Sequence, residues 1–455
     1  MARSKASFRD PAGFIFVRDG QLFRQINLCA EADYECLIQS GLYDRLCVEG
    51  KLVPHEEKAI APESDRGVYK VIKPERIPFI SYPYEWTFPQ LKNAALLTLE
   101  IQQTALEYGM SLKDTSAYNI QFIGSRPIFI DTLSFEKYKK GSPWIAYRQF
   151  CQHFLAPLAL AGLNDLRYLG FLRENIDGFA LDFVCRQLPL KSWFNPGLLM
   201  HLHIHSRGRK AFCGRSNEKS ARLSKHSLVG LLDSLRRCVS GLKGFAVETD
   251  WSNYYGIHNY SSRAMEEKKR FIRELTADIN PGCVWDLGAN DGTFSSLISE
   301  RAEYVVSFDM DYAAVEKNYI SCRDSGSENI LSLVMDFSNP SPSTGWANSE
   351  RMSLLHRAPA DTVLALALVH HLAITNNLPF SEIAEFMAEI CRKYLVIEFI
   401  PKRDFQIQQM LSGRKDIFVY YSETDFEREL SLFFLIEKKH KLADSERTLY
   451  LMKKK

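Results

Sequence analysis

The chain has 455 residues, 46% hydrophobic and 25% charged, a composition that excludes disordered and fibrous classes and a length that suggests two or three domains. Its 57 Lys and Arg nearly balance 55 Asp and Glu, so the formal +2 supplies no global field for nucleic acid, an anionic membrane or an acidic partner. The 10 cysteines, with no Cys-x-x-Cys pair, read as reduced thiols packed as small apolar residues rather than as a disulfide or zinc framework. The basic N-terminus lacks an apolar run behind it, and no apolar run approaches the roughly 20 residues that cross a bilayer, so a cytoplasmic location is expected.

In the N-terminal part, the sequence pattern predicts a helix over 91–108 after the stretch Ile77-Pro-Phe-Ile-Ser-Tyr-Pro83-Tyr-Glu-Trp86. Residues 111–135 then carry Asp114-x-x-x-x-Asn119, a hairpin-like passage, and Ile128-Phe-Ile-Asp131. This spacing resembles the catalytic loop and metal-binding strand of protein-kinase-like folds, and 77–86 resembles the hinge between their lobes. The likeness departs from the family at Leu112-Lys113, where His-Arg is usual, and at Asp131-Thr-Leu, where Asp-Phe-Gly is usual. No Gly-rich loop is present, and Lys70 and Lys73 are the candidates for the phosphate-pairing lysine. The resemblance implies an α+β module over 1–205, degenerate as a kinase, that binds a substrate or partner.

His201-x-His203-x-His205 would place three imidazoles on one face of a strand, a pattern compatible with a metal, but no Cys or carboxylate completes it nearby, and no metal is expected. Residues 206–226, rich in Arg, Lys, Ser and Gly, read as a solvated linker, and 206–250 as that linker plus an amphipathic helix around 228–239. The bulky Trp251, Tyr254, Tyr255 and Tyr260 follow, as core or as a lid over an acceptor pocket, and a helix is expected over 262–276.

From Cys283 the pattern alternates. Strands are expected at 283–287, 304–309, 330–336, 362–369 and 394–400, and helices at 293–301, 312–322, 381–392 and 403–411, which is the order of a parallel doubly wound sheet. Two closing strand-like runs, 433–439 and 448–452, read as an antiparallel hairpin. The first strand ends Val284-Trp-Asp286-Leu-Gly288-Ala-Asn290-Asp-Gly292, a turn that exposes backbone N–H groups at a helix N-terminus. A dinucleotide fold wants Gly-x-Gly-x-x-Gly, but Asn290 and Thr293 stand where the second and third glycines would fall.

These residues resemble the first motif of class I S-adenosylmethionine (SAM) methyltransferases, with Asn290 replacing a glycine and able to accept positive φ. The likeness covers about 251–453 and implies a Rossmann-like domain over 251–455 with SAM as cofactor. Asp286, Gly288, Asn290 and Gly292 form the turn, while Asp309 ends the second strand as ribose ligand with Met310 beside it. Asp336 would meet the adenine amine with Phe337 against the ring, or else cap a turn. His370 and His371 leave the fourth strand at the carboxyl edge, as a general base or as packing residues. Glu398 reaches the same edge, in catalysis or in an ion pair with an Arg.

With Pro401-Lys-Arg-Asp404, Tyr420-Tyr421, Phe426 and Arg447-Thr-Leu-Tyr450, the chain resembles bacterial methyltransferases of the nodulation-protein NoeA kind. The implied activity is methyl transfer from SAM to an unidentified acceptor, small-molecule or glycan-related. The alternatives are a kinase-like ATP-binding protein whose C-terminal half senses SAM, and a scaffold in which neither half is catalytic.

Overall fold

The structure, a computed structural model, describes residues 2–60, 67–207, 223–245, 262–413 and 415–455. The aromatic residues 251, 254, 255 and 260 and most of the expected linker lie outside them. The chain divides into two units, Met1–Phe122 with Arg126–Ala246 and Thr344–Arg351, and Ile123–Ser125 with Val247–Ser343 and Met352–Lys455.

In the first unit, strands β1 (Ala2–Arg3), β2 (Gly13–Arg18), β3 (Gln21–Asn27), β4 (His55–Glu57) and β5 (Val68–Pro74) form an antiparallel sheet of order β1-β2-β3-β5-β4. Asp19 and Gly20, with φ of 52° and 74°, make the two-residue turn between β2 and β3, where only residues tolerant of positive φ fit. Strand alternation then sorts the faces. Phe14, Phe16, Phe23 and Val71 pack on one, and Ile26 and Ile72 pack on the other with Tyr34 and Leu133. Arg24 shares the second face by register, opposite Ile72.

The expected helix is present as Phe88–Glu107. Gln90 Oε1 accepts the Thr87 N–H at 2.9 Å, a reciprocal cap that fixes its start, and Gly109, at φ 75°, ends it. After it come β6 (Met110–Leu112), the hairpin β7 (Ile120–Ile123) and β8 (Arg126–Phe129), and β9 (Phe135–Lys137), which pairs with β6. Helices follow among the described residues, including Lys225–Gly241, whose Arg236 donates to Gln103 of the long helix at 2.9 Å. The histidine triplet corrects one expectation: residues 199–204 form a helical turn, not a strand. His201 bonds Tyr147 and Ser234, at 2.8 and 2.9 Å, and His203 bonds Ser192 at 2.8 Å, so these two imidazoles are committed to packing partners rather than gathered on one face.

The second unit opens with helix Ser262–Ile279 and continues through β10 (Cys283–Leu287), β11 (Tyr304–Asp309), β12 (Ile330–Val334), β13 (Ala360–Ala365), β14 (Cys391–Phe399), β15 (Phe434–Lys441) and β16 (Thr448–Lys454). Their order is β12-β11-β10-β13-β14-β16-β15, with β10 to β14 parallel and β16 antiparallel to both β14 and β15. This is a doubly wound Rossmann-like sheet closed by an antiparallel pair. Val284, Val305, Leu364 and Val396 are essentially inaccessible, because helices cover both faces of a parallel sheet. Each such side chain contributes about 1.5–3 kcal/mol on burial. The intervening helices Thr293–Ser299, Tyr312–Asp324, Phe380–Ile390 and Phe405–Leu411 fall where the pattern put them. A further one, Glu423–Leu430, was not expected.

Among the described residues no helix is long and apolar enough to cross a membrane, and the nine described cysteines are free.

Candidate functional site

The carboxyl ends of β10, β11, β13 and β14 carry the residues singled out above. After Asp286, the chain takes left-handed conformations at Gly288, Asn290 and Gly292, with φ of 73°, 51° and 80°. Two successive N–H groups, of Gly288 and Ala289, donate to Phe308 O at 2.9 Å each and tie the turn to the end of β11. Gly292 is the position where glycine is required twice over. A Cβ there would lie 2.1 Å from Asn318 Oδ1, in addition to the positive φ.

Asp286 is 1% exposed and accepts the Ser295 hydroxyl at 2.6 Å. Burial pushes its carboxyl up to about 6, against the opposing pull of Ser295 and the Lys268 charge. Asp309 uses both oxygens, accepting Asn290 N–H at 2.8 Å and Asp311 N–H at 2.9 Å. Burial raises it to about 6 as well, although main-chain donors favour its anion. A cationic ligand beside these two carboxyls would favour their anions.

Met310, next along, is 63% exposed. Asp336 Oδ1 accepts both the N–H and the hydroxyl of Ser338, at 2.8 and 2.7 Å, so that oxygen caps a turn; Oδ2 is the one outside this cap. Phe337 is half-buried and meets Phe308 and Phe386 edge-on, at 5.7 and 6.2 Å.

The exit of β13 brings His370 and His371 side by side, with ring centroids 4.0 Å apart. His370 is 1% exposed, and neither ring nitrogen has a hydrogen-bond partner among the described residues. Burial, the neighbouring imidazole and the charges of Arg447 and Lys268 drive its pKa far down. Burial and Arg447 lower His371 to about 4. Both rings are therefore neutral at physiological pH, the form in which an imidazole can accept a proton.

Glu398 is fully buried, and Lys268 Nζ pairs with it at 2.7 Å. The same oxygen, Oε2, accepts the Ala367 N–H at 2.9 Å. Glu398 thus ties the helix Ser262–Ile279 to the exit of β13. Arg447, also buried, donates to Asp404 at 2.9 Å and to Gln406 at 2.9 Å.

Lys268, Ser295 and Ala367 escaped the sequence reading. Lys268 had a legible signal: it falls with Ala264, Phe271 and Leu275 on the apolar stripe of its helix, although it looks like one charge in the run Glu266-Glu-Lys-Lys-Arg270.

In the first unit, Asp114, Asn119 and Asp131 come together. Asn119 donates to the Ser134 hydroxyl at 3.1 Å, which donates to Asp131 at 2.6 Å, and Asp114 caps Ser116 at 2.8 Å. The cation facing Asp131 is Arg24. Of the expected lysines, Lys70 pairs instead with Glu35 and Glu57, at 2.9 Å each.

No protein-family description matches the chain. It is 35% identical over 458 residues to the nodulation protein NoeA of Rhizobium meliloti strain 1021, spanning 98% of this chain and 95% of that one. Solved structures with weak likeness include magnesium protoporphyrin IX methyltransferase ChlM of Synechocystis PCC 6803, with SAH bound, at 13% identity, 45% of this chain, 93% of that one and a TM-score of 0.33. The N-methyltransferase NodS of Bradyrhizobium japonicum WM9 follows at 12%, 43%, 98% and 0.31. At such scores these likenesses carry no functional weight.

Proposed function

Because the chain belongs to the family of the nodulation protein NoeA, we propose that its second unit is a SAM-dependent methyltransferase acting on a small-molecule or glycan-related acceptor. The observation that supports this most is the left-handed Gly288–Asn290–Gly292 turn, set between the buried carboxylate of Asp286 and the partly buried one of Asp309 and bonded to the latter. The donor set suits SAM. Asp286 and Asp309 favour a cationic ligand, and Asp309 stands at the end of β11 with lone pairs for two ribose hydroxyls. Asp336, through Oδ2, takes the adenine amine, with Phe337 and Met310 flanking the ring.

When bound, SAM supplies a methyl group on a sulfonium, already an excellent leaving group, so the protein's task is mainly orientation and exclusion of water. The neutral pair His370 and His371 lies at the sheet edge, where one ring can take a proton from an acceptor hydroxyl or amine. Glu398, fixed by Lys268, supports the turn that carries them. The first unit is a kinase-like module that binds a substrate or partner. Its Asp131 spends its charge on Arg24 rather than on magnesium. The site works in the cytoplasm, in keeping with the free cysteines.

Calorimetric titration with SAM and its demethylated product S-adenosylhomocysteine (SAH), and separately with magnesium-ATP, tests the reading. Micromolar binding of the SAM pair alone supports it. ATP binding without a SAM response reverses it, and magnesium-dependent ATP hydrolysis that disappears in Asp131→Ala overturns the degenerate reading of the first unit.

A further inference from the structure

Helix Ser262–Ile279 turns Ala264, Phe271, Ile272 and Leu275 into the core of the second unit, and Lys268 goes in with them, 2% exposed. An ammonium in such a place is strongly disfavoured unless its charge is matched. Its Nζ donates to Glu398 Oε2 at 2.7 Å and stands 4.9 Å from the centre of the Phe294 ring. The pair therefore joins the helix before the sheet to β14 and to the helix after the glycine turn.

The pair also does something that a simple tie between helix and sheet would not need. The oxygen that takes the ammonium also takes the N–H of Ala367, two residues beyond β13. Ala367 has a φ of 53°, a left-handed conformation that an alanine adopts only when its surroundings impose it. Three and four residues further on stand His370 and His371. A single buried carboxylate thus connects one cation to the strained residue that sets the direction of the histidine turn.

We infer that Lys268 is a positioning residue for methyl transfer: by fixing Glu398 it holds Ala367 in its left-handed conformation and so aims the turn carrying His370 and His371 at the carboxyl edge of the sheet. The functional meaning rests on the methyltransferase reading, whereas the clamp rests on the Lys268, Glu398 and Ala367 contacts alone. Lys268 touches no reacting group; it acts through Glu398.

A merely structural ion pair and a positioning clamp differ in what an apolar replacement does. Buried pairs exchanged for well-packed apolar residues commonly keep their stability. The full-length protein, as wild type, Lys268→Met and the double variant Lys268→Met with Glu398→Leu, is followed by urea unfolding and by hydrogen–deuterium exchange of the segment 366–375. Lys268→Met, which takes the ammonium from a buried carboxylate, should lower the unfolding midpoint and speed exchange of that segment about tenfold. The double variant should regain part of the lost midpoint yet keep the fast exchange, because the Ala367 N–H no longer has an acceptor. If Lys268→Met does not fold, the double variant against wild type decides alone. Recovery of both midpoint and slow exchange in the double variant overturns the clamp. A parallel SAH titration of the wild type separates the two claims: no SAH binding with the expected exchange pattern sinks the methyltransferase reading and leaves the clamp, and SAH binding with unchanged exchange sinks the clamp only.

Discussion

Asp309 accepts the backbone N–H of Asn290 at 2.8 Å, so the end of β11 is bonded directly to the left-handed turn that follows β10. Its other oxygen accepts the Asp311 N–H at 2.9 Å. The turn is thus shaped before any ligand arrives, and the carboxylate that shapes it is the proposed ribose ligand.

That double role makes Asp309→Asn a sharp test. An amide offers one acceptor oxygen, so its NH2 group would face one of the two main-chain donors. SAH affinity should fall by roughly thirtyfold, about 2 kcal/mol, in calorimetry at pH 7.5. Unchanged affinity removes Asp309 from the site.

Gly292→Ala combines two penalties, a positive φ of 80° and a Cβ 2.1 Å from Asn318 Oδ1. Asn318 cannot simply swing away, since its Nδ2 donates to the Ser307 hydroxyl at 2.7 Å. Urea unfolding should show a loss of about 2–4 kcal/mol. Adding Asn318→Ala should relieve only the steric share; a Gly292→Ala change below about 0.5 kcal/mol would show that the turn is looser than its geometry implies.

Asp286 binds its proton more tightly in the folded chain than in the unfolded one, its carboxyl being raised by burial from 3.8 to about 6. The sign follows: ionisation costs nothing below pH 4, an increasing amount between 4 and 6, and the full amount above 6, on the order of 2–3 kcal/mol. Asp286→Asn, which can still accept from Ser295, should therefore be more stable than wild type at pH 7.5 and equal to it at pH 4, while binding SAH less well. Equal urea midpoints at both pH values would refute the electrostatic cost.

In the first unit, Arg24 neutralises Asp131 and also reaches Asp10 at 3.1 Å. Burial pushes the Asp131 carboxyl up, but Arg24 with the Ser134 hydroxyl and Leu133 N–H outweighs it and holds the group below its ordinary 3.8. A lowered carboxyl lends stability above pH 4 and withdraws it as acid is added. Arg24→Met should cost about 3 kcal/mol at pH 7 by stranding the buried charge, less at pH 3, and Asp131→Asn in the same chain should restore most of it. Thermal melts of the three proteins at both pH values decide.

The second unit was legible because its strands are short apolar runs separated by amphipathic helices, and because Gly288, Asn290 and Gly292 can mark only a backbone of unusual φ. Less visible was what depends on facing. Lys268 sits in a run of charges, and nothing local says that this one turns inward. Arg24 lies in the alternation of β3, and its partner Asp131 is brought to it by tertiary structure alone. The histidine triplet at 201–205 misled because spacing by two suits a strand, whereas the helical turn is accompanied by hydrogen bonds to Tyr147, Ser234 and Ser192, partners distant in sequence that only tertiary structure brings near. Helix Glu423–Leu430 was missed although Phe426 and Leu430, one turn apart, are its buried face.

Strand β16 lies between β14 and β15, although it is the last of the three to be made. During synthesis β14, with Leu395, Val396 and Ile397 nearly inaccessible in the finished protein, has one open edge until residue 454 exists to fill it. The nascent chain therefore carries an unpaired edge until β16 is made, a state that favours pairing with other chains. Production of this protein should depend on chaperone capacity and on slow, dilute expression, and C-terminal truncations that remove 448–454 should yield aggregates rather than a smaller soluble domain.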